Sequence, residues 1–315
     1  MRLLKFHVDP SDVSSYEVLA LERELGRYGV ALIGRKRSKP FEFVARAVAK
    51  LRLSALLNPF PGEPILIVGG NVPEWRMVPR SLWSRFVPYC WDCWPPQYPR
   101  WESFFRRNRI ELAFLTARQS VCYFQARIPQ CQFVWMPECV DPSEYDASKP
   151  LASRSIDVLE LGRRSEDFHN GITEKLSRAR RVHLYERAKG DIIFPAKQEM
   201  VDGFASAKIS VCFPCSVTHP ERSGDVEALT YRYLESMASK CLVVGKCPKE
   251  LIELFGYNPV IELAGASQIM EILDEIQDYH CLVERNYHRL LEVGTTRVRV
   301  QQLLAHLTAQ PIPQP

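Results

Sequence analysis

The chain alternates short β-rich runs with helical stretches almost throughout its 315 residues. Six runs in the first half and six in the second have the composition of strands, and a helical stretch follows most of them. Strands that are joined through helices lie parallel, and helices then cover both faces of their sheet. The pattern therefore predicts two doubly wound, Rossmann-like α/β domains in series, with ligands bound in the cleft that the two domains face.

The predicted strands are RLLKFHV, GVALIGR, PILIVGG, RFVPYCW, IELAFLT and CQFVWMP, followed by IDVLELG, RVHLYER, DIIFPA, KISVCFP, CLVVG and NPVIEL. Helices are predicted near 14–27, 40–56, 99–108, 117–126, 166–179, 197–206, 226–239, 247–255, 266–280 and 282–308. Pro, Asp and Ser cluster in CVDPSEYDASKPLAS, between the two sets. We predict a first domain over 1–145, a second over 146–280, and a C-terminal helix over 281–315 that could brace the first domain.

Charge is distributed unevenly along the chain. The first 140 residues hold 20 Lys and Arg against 12 Asp and Glu, and the remaining residues hold 21 against 25. A basic first half suits an anionic acceptor or peripheral contact with a membrane surface. Because no motif for reading RNA or DNA is present, we expect no nucleic-acid partner. The N-terminus and the rest of the chain lack a long apolar run, which predicts a soluble, cytoplasmic protein.

Four of the ten cysteines form two C-x-x-C pairs, Cys90 with Cys93 and Cys212 with Cys215. Two such pairs can hold zinc, and a single pair can act as a dithiol. The pairs lie far apart in the sequence, unlike the compact spacing of a zinc ribbon. Buried, reduced cysteines behave as small hydrophobic residues. We predict structural thiols, with zinc binding and redox chemistry as open alternatives.

The stretch GDVEALTYRYLESMASK, residues 224–240, has the apolar spacing of a buried helix. On that helix Glu227, Tyr231 and Glu235 form a second row, four residues apart. With a rise of 1.5 Å per residue, the two carboxylates lie roughly 12 Å apart along one edge. This is about the length of a sugar nucleotide from the sugar to the ribose. A solvated helix edge is the alternative.

The segment from DIIFPAKQEM through EALTYRYLE to SMASKCLVVG and KELIELFG resembles the donor-binding half of retaining GT-B glycosyltransferases of the group 1, family-4-like class. TYRYLESMASKCLVV is especially similar to the CgeB-type branch, in which an arginine precedes the second glutamate by three residues. The resemblance covers about residues 155–265. Over the first 150 residues it is topological only, apart from the linker WMPECVDPSEY.

The resemblance implies roles for individual residues of the donor half. Glu235 matches the glutamate that binds the donor's ribose hydroxyls, and Glu227 the one near the transferred sugar. Arg163, in ELGRRSEDF, matches the arginine of the family's "GR" pair. FHNG stands where the family has Lys-Gly, so Arg164 or Lys197 would replace the missing lysine beside the diphosphate.

Other contacts are expected from the same match. Arg232 would reach the nucleotide or pair with Glu235, and Tyr231 lies in the same row. The helix N-terminus near Val226 would face the diphosphate. Base contacts would come from backbone at the end of a strand, at Phe194, Pro195 and Ala196.

The first domain offers an acceptor-side candidate in YCWDCWPPQYPRW, directly after a predicted strand. Asp92 stands about where many relatives have a histidine, and a carboxylate there can orient an acceptor hydroxyl or act as its base. The aromatic residues around it suit the faces of sugar rings. The alternative is an aromatic-rich turn in the core.

The resemblance implies a hexosyltransferase-type enzyme that takes a sugar from a nucleoside diphosphate sugar, with retention, to a glycan, lipid or protein acceptor. We expect no cofactor and no metal, because the chain has no Asp-x-Asp to hold a metal beside a diphosphate. The alternatives are a GT-B nucleotide-sugar epimerase and a non-catalytic nucleotide-binding module. The missing lysine, together with Ala228 and Leu229 in place of the family's glycines, favours the module.

Overall fold

The computed structural model describes residues 2–4, 16–33, 39–50, 64–70, 77, 84–188 and 191–308. The chain forms two compact units, one of Met1–Asp9, Leu21–Pro137 and Val300–Pro315, and one of Pro10–Ala20 and Glu138–Arg299. Each unit contains one parallel sheet, which confirms the predicted α/β class. The boundaries at 145/146 and 280/281 remain predictions.

The sheet of the first unit has six parallel strands in the order β2-β1-β3-β4-β5-β6. The strand order reverses between β1 and β3, so the carboxyl ends of these strands mark the switch point of the sheet. The strands are β1 Arg2–Leu4, β2 Ala31–Ile33, β3 Ile65–Gly69, β4 Phe86–Cys90, β5 Leu112–Leu115 and β6 Gln132–Trp135. The helices in this part of the chain are α1 Tyr16–Arg27, α2 Lys39–Lys50, α3 Tyr98–Arg107 and α4 Arg118–Arg127.

Most aromatic rings of the segment after β4 are buried in the first unit, whereas Trp91 is half-buried. Trp94 and Trp101 are buried, and the buried Tyr98 hydroxyl lies 2.9 Å from Ser120 Oγ. Trp101 stacks on Phe105 at a centroid distance of 5.7 Å. These rings are therefore packed inside the unit and do not offer their faces to a sugar.

The sheet of the second unit has four parallel strands in the order β10-β9-β7-β8, with its switch point between β7 and β9. The strands are β7 Ile156–Glu160, β8 His183–Tyr185, β9 Ala207–Cys212 and β10 Leu242–Gly245. The helices from here to the end of the described chain are α5 Glu166–Arg178, α6 Lys197–Ser206, α7 Cys215–Thr218, α8 Pro220–Ser223, α9 Tyr231–Ala238, α10 Lys249–Phe255, α11 Gln268–Asp274, α12 His280–Val293 and α13 Thr296–Thr308.

Alternate residues of these strands enter two different hydrophobic cores. Leu159 and Val243 pack on one face with residues of α6, α9 and α10, whereas Val158 and Val244 pack on the other with residues of α5 and α11. Side chains of successive strand residues point to opposite faces, so both faces of this sheet are covered by helices. The doubly wound arrangement predicted from the sequence is thereby confirmed.

Gly245 shows why one strand end needs glycine. Its φ is +140°, and a Cβ there would lie 2.1 Å from the carbonyl oxygen of Cys212 on the neighbouring strand. No side chain can be accommodated so close to a backbone oxygen.

Several predicted elements differ in the structure. DIIFPA forms no strand, since Phe194 packs instead against Gly203 of α6, where a Cβ would meet the ring at 2.2 Å. NPVIEL contributes only a bridge at Ile261. The helix predicted over 226–239 begins at Tyr231, because Thr230 is extended, with φ −121° and ψ 155°. The helix predicted over 266–280 ends at Asp274.

The predicted final helix, 282–308, is two helices. Gly294 and Thr296 interrupt it by pairing with Val140, whose N–H donates to the Gly294 carbonyl at 3.1 Å and whose carbonyl accepts from the Thr296 N–H at 2.8 Å. Beyond this break, Val300 and Leu303 of α13 pack in the core of the first unit.

Within the part of the chain that the structure describes, none of the helices combines the length and the apolar character needed to cross a membrane. The predicted strand residues 5–8, the predicted helix residues 51–56 and the basic residues 35–38 lie outside the described residues.

Candidate functional site

The carboxyl end of β7 and the N-terminal turn of α9 meet at the switch point of the second sheet. After β7 the chain turns at Gly162, which has φ +83°, and a Cβ there would lie 3.8 Å from Nη2 of Arg232. This edge is where an open parallel sheet binds its ligands. It brings Arg163, Arg232 and Glu235 into one region of the second unit.

Glu235 is a buried carboxylate, 6% exposed, in α9. Its Oε1 lies 3.3 Å from the hydroxyl of Tyr145, and the same hydroxyl lies 2.8 Å from Oε1 of Glu17. A phenol has one proton to donate, so the shorter contact with Glu17 takes it. Burial, and then the negative charges of Glu235 and Glu17, hold the pKa of Tyr145 well above its usual value, which keeps that proton in place.

The second oxygen of Glu235 is also poorly satisfied. Oε2 lies 2.8 Å from Nη1 of Arg232, but the two atoms are oriented outside hydrogen-bonding geometry. Neither atom has a hydrogen-bond partner among the described residues. Buried carboxylates are normally paired and hydrogen-bonded. Glu235 can therefore accept two hydrogen bonds from a ligand, with Arg232 beside it to balance its charge.

Glu227 lies in the loop before α9, which corrects the prediction that it shares a helix with Glu235. Its Oε2 accepts from the backbone N–H of Lys249 at 3.3 Å, and its Oε1 is 3.9 Å from Lys249 Nζ. In return, the N–H of Leu229 donates to Glu250 Oε2 at 3.0 Å. The loop is thus tied to the start of α10, and the 12 Å spacing along one helix edge does not apply.

A carboxylate of the chain contacts the N-terminus of α9. This N-terminus is at Tyr231, and the sequence predicted it near Val226. The first N–H of the helix, at Tyr231 and not near Val226, donates to Glu138 Oε2 at 2.6 Å. A carboxylate is stabilised there by the free N–H groups and the helix dipole. A diphosphate at this end would compete with the Glu138 carboxylate for that N–H.

The two adjacent arginines after β7 point to different neighbours. Burial raises the pKa of Tyr233 in α9, and the nearby positive charge of Arg163 opposes part of that shift. Arg164 instead donates to Glu166 and to the carbonyl of Glu186, each at 2.9 Å. Arg163 therefore lies near Tyr233, whose hydroxyl donates to the carbonyl of Lys246, whereas Arg164 lies toward β8.

Lys197, the other substitute for the missing lysine, forms an ion pair with Glu144 and lies 4.9 Å from the ring centroid of Tyr16. Its charge is therefore shared with a carboxylate of the same unit.

Phe194 and Ala196 frame the start of α6. Ala196 is the residue before the helix, and its N–H donates to Glu199 Oε2 at 3.3 Å. Phe204, one residue beyond the Gly203 that contacts Phe194, lies 5.3 Å under the guanidinium of Arg232. The segment predicted to contact the base therefore adjoins the same part of α6 as Arg232, although it is not the end of a strand.

Asp92 lies in the first unit, directly after β4, with a left-handed φ of 50°. A Cβ at Gly70, just beyond β3, would lie 3.4 Å from its Oδ2. Asp92 is therefore at the carboxyl edge of the first sheet, and its catalytic role stays a prediction.

The C-x-x-C cysteines are free and buried. Burial raises the pKa values of Cys90 and Cys93 well above the usual range of a thiol. It raises the pKa of Cys212 to about 11. Thiols that keep their protons are poor nucleophiles. This fits the prediction of structural thiols.

Three contact residues around the site, Glu17, Glu138 and Tyr145, were not identified from the sequence. They lie far from α9 along the chain, and only the folded second unit brings them to it. Glu138 and Tyr145 lie in WMPECVDPSEY, the linker that resembles the family, and this resemblance could have identified them.

No protein-family model matches the chain, and no curated protein sequence matches it. Several solved structures align with it. The sucrose-phosphate synthase of Thermosynechococcus elongatus aligns with a TM-score of 0.58 and 13% identity, over 98% of each chain. Anabaena HepE in complex with UDP-glucose gives 0.55 and 11%, over 98% of this chain and 99% of that one. A glycosyltransferase from Rickettsia africae gives 0.54 and 11%, over 97% and 96%. The chain has the GT-B fold of these proteins, as predicted.

Proposed function

We propose that this protein is a glycosyltransferase that transfers a sugar from a nucleoside diphosphate sugar to an acceptor. The observation that carries the proposal is Glu235, a buried carboxylate beside the switch point of a parallel sheet. Its Oε2 has no hydrogen-bond partner among the described residues, and its Oε1 has only the 3.3 Å contact with Tyr145, so both oxygens can accept further hydrogen bonds. Two hydroxyls on adjacent carbons of a ribose would supply them. Hydrogen bonds to a charged acceptor are the strong ones.

We assign the remaining donor contacts to residues near the same edge of the sheet. Arg163 and Arg232 would balance the diphosphate, Glu227 would contact the transferred sugar, and backbone beside Phe194 and Ala196 would contact the base. Because structures of the same fold hold UDP or UDP-glucose, UDP is the first donor nucleotide to test. Arg164, Tyr231 and Lys197 remain candidates for the phosphates, although each contacts a carboxylate or a carbonyl of the chain.

Asp92 would orient or deprotonate the hydroxyl of a glycan, lipid or protein acceptor. The basic first half of the chain suits an anionic acceptor or a membrane surface. The ten free cysteines fit the reducing, cytoplasmic location that we propose.

The transfer would retain the anomeric configuration and need no divalent metal beside the diphosphate, since Arg163, together with Arg232 of the Glu235 ion pair, would balance its charge. We expect the rate with UDP-sugar to be the same with and without added Mg²⁺ or Mn²⁺. NMR of the product should show the donor's configuration. A rate that requires either ion, or an inverted product, would contradict the respective half of this mechanism.

Nucleotide binding is the test of the proposed function. In a thermal-unfolding panel of UDP, GDP, ADP, CDP and dTDP, one diphosphate should stabilise the protein, by about 2.7 kcal/mol at a hundred times its dissociation constant. The matching monophosphate is the control for the diphosphate contacts and should stabilise less. If no diphosphate changes the unfolding midpoint, the proposal fails.

A non-catalytic nucleotide-binding module is the second candidate. It is favoured by the Glu138 carboxylate on the first N–H of α9, because that N–H is then not available to stabilise the charge of a leaving diphosphate. Such a module would bind the nucleotide in the panel and yet neither transfer nor hydrolyse the matching sugar nucleotide.

A further inference from the structure

A buried cluster of metal-ligand type lies beside β7 and outside the residues assigned to the donor. Glu160 ends β7, His183 begins β8, and His169 lies in the first turns of α5. Glu160 Oε2 contacts Nδ1 of His169 and lies 3.0 Å from Nε2 of His183. The side chains are 2%, 8% and 6% exposed, respectively.

The ring of Tyr185 closes one side of this cluster. Its centroid lies 4.5 Å from that of His169 and 4.6 Å from that of His183. On the other side of the His169 ring, Nε2 lies 3.4 Å from the hydroxyl of Thr173. This contact resembles the outer hydrogen bond that orients a metal-binding imidazole.

Two polar atoms of the cluster have no hydrogen bond to the described part of the chain. Oε1 of Glu160 and Nδ1 of His183 are buried and have no hydrogen-bond partner within the described ranges. One ligand atom from each of the three residues lies within 4.8 Å of the other two. Atoms bound to one zinc ion at about 2.0–2.1 Å lie within about 4 Å of one another, so small side-chain movements would bring these atoms onto one ion.

We propose that Glu160, His169 and His183 bind a divalent transition-metal ion of the zinc type. Two imidazole nitrogens and a carboxylate are a ligand set that zinc accepts, and bidentate binding by Glu160 would give its unpaired Oε1 a partner and complete four donors. The ion would join the end of β7 to α5 and β8, directly before the turn that carries Arg163. It is a structural ion and takes no part in the neutralisation of the diphosphate.

The alternative is a metal-free network, in which the Glu160 carboxylate contacts the two imidazoles directly, with Arg164 nearby. That network would leave Oε1 of Glu160 unpaired. It predicts no stoichiometric binding of metal, so the two accounts differ in a direct measurement.

The test begins with wild-type protein stripped of metal with a chelating resin. Zinc titration, followed by elemental analysis, should give one ion per chain and a higher midpoint of thermal unfolding. Co²⁺ in its place should give the visible bands of a four-coordinate site without a thiolate charge-transfer band. Absence of stoichiometric binding, or a thiolate band that assigns the ion to cysteines, would overturn the proposal.

Variants then assign the ion to these residues. His169→Gln and His183→Gln should weaken zinc binding at least about tenfold, the lower end of what loss of an outer-shell partner costs. His288→Gln is the matched control, because that side chain is 71% exposed and lies in α12. Undiminished zinc affinity in a folded His183→Gln variant would place the ion elsewhere. If both variants fail to fold, the cobalt spectrum of the wild type decides.

Discussion

Replacement of Glu235 by alanine is expected to weaken binding of the donor nucleotide by about 1.5–3 kcal/mol, the range for a hydrogen bond to a charged group. This corresponds to roughly a ten- to hundredfold rise in the dissociation constant. The reason is that Glu235 would accept two ribose hydroxyls through oxygens that the chain itself leaves poorly bonded. Calorimetry with the diphosphate identified by the unfolding panel measures the change.

Two further variants separate this role from a structural one. Glu235→Gln keeps an acceptor but loses the charge, and should weaken binding less than alanine does. Glu17→Gln changes the other carboxylate on the Tyr145 hydroxyl and should leave the affinity close to that of the wild type. Equal affinity in wild type and a folded Glu235→Ala variant would remove Glu235 from the site, whereas equal losses in Glu235→Ala and Glu17→Gln would indicate a packing effect.

The two parallel sheets could be predicted because their signal is local. Runs such as IDVLELG and CLVVG are apolar and rich in β-branched residues, and each strand becomes buried on both faces. The errors arose where tertiary contacts prevail over propensity. Phe194 packs on Gly203, and DIIFPA forms no strand. Val140 pairs with Gly294 and Thr296, where the predicted last helix is interrupted.

Residue types and sequence order indicated part of the candidate site, but not its contacts. Arg163 and Arg164 are adjacent in the sequence and were both expected beside the diphosphate. In the structure they follow the left-handed turn at Gly162 and have different neighbours, Tyr233 for Arg163 and Glu186 for Arg164. Tyr145 contacts Glu235 from 90 positions away, and Glu17 contacts Tyr145 from 128 positions away. A hydrogen-bond network of this kind is set by the fold and has no local pattern to detect.

Replacement of Glu227 by glutamine is expected to lower turnover by about 10²- to 10³-fold, the usual cost of losing one group that stabilises charge in the transition state. We propose that its carboxylate lies beside the transferred sugar, where positive charge develops as the bond to the diphosphate breaks. Because that charge is small in the bound donor, donor affinity should change far less than turnover. Steady-state kinetics together with calorimetry on the same variant measure both quantities.

The contacts of Glu227 within the chain provide the control for this prediction. Glu227 and Glu250 tie the loop before α9 to the start of α10 from opposite sides, through the N–H groups of Lys249 and Leu229. Glu250→Gln makes the same chemical change in the same connection, but at a side chain that is buried, 4% exposed. If Glu227 acts only by holding the loop, both variants should lose turnover equally. If it stabilises the charged sugar, Glu227→Gln should lose much more turnover than Glu250→Gln at comparable thermal stability, and equal losses would contradict the proposed role.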